Sequence, residues 1–214
     1  MTPETASERL LGVARKAPVI PVIVVDDAGK ARDLAHALVT GGLYALEITL
    51  RTAQALDAIK AMSDVPGAVV GAGTLLTPDD ARRAQDAGAT FGVSPGSSDR
   101  LLDACEAMDL AMLPGAATAT EAMALLERGY SFQKFFPAEA IGGVPALKGL
   151  SGPLPQITFC PTGGVSLANA PSYLSLPNTV CVGGSWVSPK ALVDAGDWDG
   201  IAKLAAEAAA LTAS

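Results

Sequence analysis

The sequence is that of an α/β protein, and the expected fold is a single-domain (β/α)8 barrel. Three observations carry that expectation. Short β-branched runs alternate with alanine-rich helical stretches from one end to the other, which is the rhythm of a parallel sheet. Glycine or proline stands at nearly every junction between them. The chain has 214 residues, 50% of them hydrophobic, which suits one sizeable core better than two small ones. A doubly wound open sheet is the alternative.

The elements follow in order. A helix over about Thr5–Arg15 opens the chain as an extra N-terminal element. The apolar run Val19–Val25 then leads into a helix over Gly29–Val39, and Ala45–Leu50 into Ala53–Met62. Ala68–Gly73 precedes Pro78–Ala87, a helix opened by Thr77 and Pro78 and closed by Gly88. Thr90–Val93 pairs with Ser98–Met108, and Ala111–Leu113 with Thr118–Glu127, which Gly129 ends. Ser131–Phe135 leads to Val144–Leu150, Gln156–Cys160 to Leu167–Ser175, and Thr179–Val182 to the terminal helix Trp198–Leu211. Neither a linker nor a low-complexity stretch interrupts these eight units, so residues 1–214 are expected to form one domain.

Composition narrows the function. Charged residues make up 17% of the chain, the formal net charge is -7, and nothing clusters basic residues as nucleic acid or anionic lipid requires. Met1–Arg15 lacks the apolar run of a signal peptide, so a cytoplasmic location is expected. The longest apolar candidate, Pro18–Val25, is strand-sized and carries two prolines, and no membrane span is expected. Cys105, Cys160 and Cys181 lie in apolar segments and read as core packing. His36, the sole histidine, falls within the helical run Ala31–Val39, so zinc chemistry lacks its ligands and no metal is expected.

In a barrel, chemistry gathers where strands end and lead into helices. Those ends here carry Glu47 with Arg51, Gly73-Thr74, Ser94-Pro95-Gly96, Pro114-Gly115, Lys134 with Phe136-Pro137, Thr162-Gly163-Gly164 and Gly183-Gly184-Ser185. Lys134 sits inside the phenylalanine-rich run Ser131–Pro137, whereas the other six lysines fall in helices or loops. Alternation places it on one face with Phe132 and Phe136, where burial disfavours the ammonium form and favours the neutral amine that adds to ketones. The competing reading is a strand-end lysine that snorkels to solvent or pairs with a carboxylate. Glu47 is again a charge in an apolar strand, placed to shuttle protons, and Arg51 can grip a carboxylate in a two-point hydrogen bond. A local ion pair closing the strand would also explain them. Thr74 and Thr162 put small hydroxyls at strand ends. The glycines after the seventh and eighth strands leave backbone N–H groups bare for phosphate, or else simply make tight turns.

The segments Glu47-Ile48-Thr49-Leu50-Arg51-Thr52, Gly71-Ala72-Gly73-Thr74, Ser94-Pro95-Gly96, Phe132-Gln133-Lys134-Phe135-Phe136-Pro137-Ala138-Glu139, Cys160-Pro161-Thr162-Gly163-Gly164-Val165 and Gly183-Gly184-Ser185-Trp186 together resemble the 2-keto-3-deoxy-6-phosphogluconate (KDPG) and 4-hydroxy-2-oxoglutarate (KHG) aldolases over almost the whole chain. The resemblance implies a homotrimeric class I aldolase of the Entner–Doudoroff route, needing no cofactor, that splits its substrate to pyruvate and glyceraldehyde 3-phosphate. It implies Lys134 as the Schiff-base lysine and Glu47 as the acid/base. Arg51, Thr74 and Pro95 would contact the pyruvate end, with Phe136 and Thr162 lining the same pocket. Gly163, Gly164, Gly183, Gly184 and Ser185 would hold phosphate. One departure is visible: Val24 stands where several relatives carry a phosphate-reaching arginine. Cleavage of KHG to pyruvate and glyoxylate, or of the galactonate epimer, remains open. A phosphate-binding barrel isomerase and a catalytically inert sugar-phosphate sensor are the competing functions.

Overall fold

A computed structural model describes residues 1–211; residues 212–214, part of the expected domain, lie outside the described residues. The first helix, α1 (Pro3–Ala14), starts at Pro3 rather than Thr5 because the Thr2 side chain accepts a hydrogen bond from Thr5 N–H and Pro3 suits the first helical position. Strands and helices then alternate: β1 (Val19–Ile23), α2 (Ala31–Thr40), β2 (Ala45–Thr49), α3 (Ala55–Ser63), β3 (Val69–Gly73), α4 (Pro78–Asp86), β4 (Phe91–Val93), α5 (Asp99–Ala107) and β5 (Ala111–Leu113). After them come β6 (Gly115–Ala116), α6 (Ala119–Arg128), β7 (Phe132–Phe135), α7 (Gly143–Ser151), β8 (Thr158–Pro161), α8 (Ala170–Leu174), β9 (Val182–Gly184), α9 (Lys190–Ala195) and α10 (Trp198–Ala209).

Every strand pair is parallel. Six strands form one sheet in the order β5-β4-β3-β2-β1-β9, and β6-β7-β8 form a second. A single bridge, Thr162 with Gly183, joins the end of β8 to β9, while β5 runs into β6 through Pro114. The expected strand at Ala111–Leu113 therefore continues: Pro114 has no N–H to give the ladder, and pairing resumes at Gly115 opposite Lys134.

Helix ends follow their residues. Thr77 with Asp80 and Thr118 with Glu121 form reciprocal caps at α4 and α6, a device worth about 1 kcal/mol each. Gly129 closes α6 at a φ of 107°, a left-handed conformation that a side chain disfavours. Other expected boundaries shift, α2 and β8 each starting two residues late. The first strand ends at Ile23, not Val25, and Val24 is half exposed. The last strand is Val182–Gly184 rather than Thr179–Val182, with Thr179 reduced to a bridge to Phe159. Helix α8 begins at Ala170 rather than Leu167 because Asn169 Oδ1 accepts from Ser166 N–H at 2.7 Å and makes a turn first. The short α9 lies outside the expected helices, although Pro189 and Gly196 mark its start and stop.

The core fills both faces of the sheets. All residues of β1, β2 and β7 are buried, as parallel strands covered on both sides require. Phe135 and Phe159 meet edge to face at 6.1 Å, a contact worth about 0.5–1.5 kcal/mol beyond area burial. Helix α1 packs across β5 and β7, where Ser7 Oγ accepts from Ser131 N–H at 3.2 Å. Cys105, Cys160 and Cys181 are free and buried, as core packing demands. Burial, with Glu106 second, pushes the Cys105 thiol up to about 11. Among the described residues no helix is long and apolar enough to cross a membrane.

Candidate active site

The strand register brings most of the expected residues into two groups. The inner group centres on Lys134. Strand β7 places it opposite Gly115 on one side and Cys160 on the other, and its Nζ donates to Glu47 Oε1 at 3.2 Å. Both side chains are nearly closed to solvent, 5% and 4% exposed. A buried ion pair is weak support for stability, since desolvating two charges offsets most of their attraction. Its chemical meaning is stronger: an amine and a carboxylate in direct contact can pass a proton between them. The Lys134 Nζ also lies 5.2 Å from the Phe136 ring centroid.

Small residues make room for this pair. Gly73 lies opposite Thr49 in the β2–β3 register, and a Cβ there would meet Glu47 Oε1 at 2.2 Å. Thr74 follows at once, with a φ of 62° that turns the chain out of the sheet. On the far side, a Cβ at Gly115 would strike the Pro95 carbonyl oxygen at 2.3 Å, so Pro95 borders the residue opposite Lys134. Neither glycine announces this role in the sequence, since glycine in a strand carries no polar signal.

The outer group lines a cavity of about 490 Å³. Arg51, Phe136, Thr162, Gly163, Gly164, Gly183 and Ser185 all contribute to its wall, with Val22, Val24, Pro137 and Glu139. Phe136 connects the two groups, because its ring both lines the cavity and stands beside Lys134. Gly163 and Gly164 have positive φ, 98° and 80°, so the turn after β8 bares its backbone. Lys134, Glu47, Thr74, Pro95 and Gly184 do not line the cavity wall. For Gly184 the reason is plain: a Cβ there would run into the Trp186 ring at 1.8 Å, so this glycine is demanded by packing. Gly183 differs, since its missing Cβ would meet Thr162 Oγ1 at 2.3 Å, at the cavity wall. His36 is exposed on α2, and among the described residues no cluster of three or more His, Cys, Asp or Glu side chains is placed to hold a metal ion.

A buried lysine–carboxylate pair beside a glycine-walled cavity invites comparison with known proteins. The profile of the KDPG and KHG aldolases matches residues 11–204. This chain belongs to that aldolase family. A 2-dehydro-3-deoxy-phosphogluconate aldolase of Pseudoalteromonas atlantica is 49% identical over 199 residues, 92% of this chain and 93% of its own. The crystal structure of the KDPG aldolase of Zymomonas mobilis with 3-phosphoglycerate superposes with a TM-score of 0.91 at 48% identity, covering 96% of this chain and 97% of that one. The KDPG aldolase of Legionella pneumophila, captured with pyruvate as a covalent carbinolamine, gives 0.90 at 42% identity, covering 94% and 98%. The aldolase motifs of the sequence and the paired Lys134 and Glu47 thus occur in a chain whose backbone follows these enzymes along nearly its full length.

Proposed function

We infer that this chain is a class I aldolase, a lyase that cleaves KDPG to pyruvate and glyceraldehyde 3-phosphate through an imine on Lys134. The observation that carries the reading is the buried contact of Lys134 Nζ with Glu47 Oε1 at 3.2 Å, in a chain of this family. The neutral amine attacks the C2 ketone to give a carbinolamine, and loss of water gives the iminium. The C4 hydroxyl then loses its proton, the C3–C4 bond breaks, and its electron pair flows to the iminium nitrogen to leave an enamine and the aldehyde. Protonation at C3 and hydrolysis return lysine and pyruvate. Glu47 is the proton carrier for these steps, because its carboxylate already touches the amine.

Arg51 would hold the substrate carboxylate, with Thr74 and Pro95 beside the pyruvate carbons and Phe136 and Thr162 as walls. Backbone N–H groups of Gly163, Gly164, Gly183 and Gly184, with Ser185, would take the phosphate. Cleavage of KHG to pyruvate and glyoxylate is a second activity in keeping with the family's description. We read the two sheets, bridged at Thr162 and Gly183 and continuous through Pro114, as one eight-stranded (β/α)8 barrel with α1 as an added N-terminal helix. The proposed working form is a homotrimer of such single-domain barrels in the cytoplasm.

The test is chemical. Borohydride added with pyruvate should fix a pyruvate-derived mass on the peptide containing Lys134, and Lys134→Met should abolish both labelling and cleavage. Labelling of another lysine, or none, overturns the mechanism.

A further inference from the structure

The Gly163–Gly164 turn is held from two sides. On one side Asn169 Nδ2 donates to the Gly164 carbonyl at 3.1 Å. On the other, Ala138 and Glu139 N–H groups donate to the carbonyls of Thr162 and Gly163 at 2.8 and 3.0 Å. The Glu139 methylenes fill the space beside Gly164, where a Cβ would meet them at 2.6 and 2.7 Å. Glu139 is an exposed residue on the cavity wall, and a glutamate so placed would ordinarily sample many rotamers. Here its tip is tied down: Oε1 accepts a hydrogen bond from the hydroxyl of Tyr173, a fully buried side chain of α8. A Cβ at Gly143 would meet that same oxygen at 3.2 Å and the Tyr173 hydroxyl at 3.3 Å, so the chain also leaves room for the pair.

We propose that Tyr173 and Glu139 form a positioning pair that fixes the Gly163–Gly164 turn for the substrate phosphate and keeps the Glu139 carboxylate turned away from it. The proposal rests on the reading of this turn as the phosphate subsite. Two physical effects act in one direction. Backbone donors bind an anion well only when pre-aligned, and the Glu139 methylenes form one wall of that alignment. A carboxylate freed on the cavity wall would repel the phosphate dianion. Tyr173 touches no substrate in this scheme and acts through Glu139.

The experiment compares kcat/KM for KDPG and for its unphosphorylated counterpart, 2-keto-3-deoxygluconate, in the parent, Tyr173→Phe and the double variant Tyr173→Phe/Glu139→Gln. Tyr173→Phe should lower the preference for the phosphorylated substrate by about threefold to tenfold, the net scale of one ordinary hydrogen bond, since Tyr173 acts on the phosphate only through Glu139. The loss should appear mainly in KM for KDPG, with the unphosphorylated substrate moving less than about twofold. Removing the freed charge in the double variant should restore part of the preference. An unchanged ratio in Tyr173→Phe, or an equal loss with both substrates, overturns the positioning role. If Tyr173→Phe does not fold, Glu139→Ala is measured by the same ratio: a loss confined to KDPG supports the role, and an unchanged ratio overturns it. A parent with no preference for phosphate overturns the subsite reading itself, a result distinct from either.

Discussion

Gly73 offers a sharp test of the inner site, because replacing it by alanine adds one methyl at a known place. The new Cβ would meet Glu47 Oε1 at 2.2 Å, Cγ at 2.7 Å and Cδ at 2.8 Å. The backbone has little freedom to yield: Gly73 pairs with Thr49 across the sheet, and its carbonyl accepts from Leu50 N–H at 2.9 Å. The carboxylate must therefore give way. Reaching an ordinary contact of 3.4 Å from 2.2 Å takes a shift of 1.2 Å. If Oε1 retreats along the line from Lys134, the pair opens from 3.2 Å by that 1.2 Å to about 4.4 Å, beyond hydrogen-bond range. A misplacement of about 1 Å at a reacting group costs on the order of a hundredfold in rate, and overpacking costs about 1–3 kcal/mol of stability. Coupled assay of pyruvate release should show kcat about a hundredfold down in Gly73→Ala, with a thermal midpoint lowered by several degrees. Combined with Glu47→Gln, the alanine should add little further loss, since both changes remove the same contact. A Gly73→Ala enzyme within threefold of the parent, or losses that multiply in the double variant, would falsify the argument that Glu47 works from this position.

Other outcomes follow from the same geometry. Glu47→Gln should fold normally, keep its shape beside Lys134 and lose about a hundredfold to ten-thousandfold in kcat; near-parental turnover means the pair is only structural. Gly183→Ala sets a methyl 2.3 Å from Thr162 Oγ1 at the cavity wall, so it should reduce kcat/KM for phosphorylated substrate more than for unphosphorylated; a proportional loss with both removes Gly183 from the phosphate site. Cys105 is pushed by burial and Glu106 from 9.0 to about 11, so the unfolded thiol ionises first. Its stabilising contribution is fully present below about pH 9 and is lost as the pH rises toward about 11, at up to about 1.4 kcal/mol per unit. Urea unfolding across that window should show a steeper decline for the parent than for Cys105→Ala, and parallel declines would refute it.

The local elements, and the buried charges at Lys134 and Glu47, are legible in the chain because each has a short-range cause. Thr77, Pro78 and Gly129 start or stop helices through their own backbone preferences, and Lys134 stands out because a charge in a phenylalanine-rich strand is costly without purpose. What needed the tertiary structure are the relations between distant residues. Glu47 and Lys134 are 87 positions apart, and only the strand register sets them 3.2 Å apart. The role of Gly73 is invisible until the carboxylate it shelters is seen beside it, and Gly184 turns out to serve Trp186 because a missing side chain announces space without saying whose. Tyr173 reads as one more buried aromatic in a helix until the fold lays its hydroxyl against Glu139 on another connection. Residue type and local pattern determine what a position can do; the packing of the sheets and helices decides which positions meet, because those contacts depend on long-range register that no window of sequence contains.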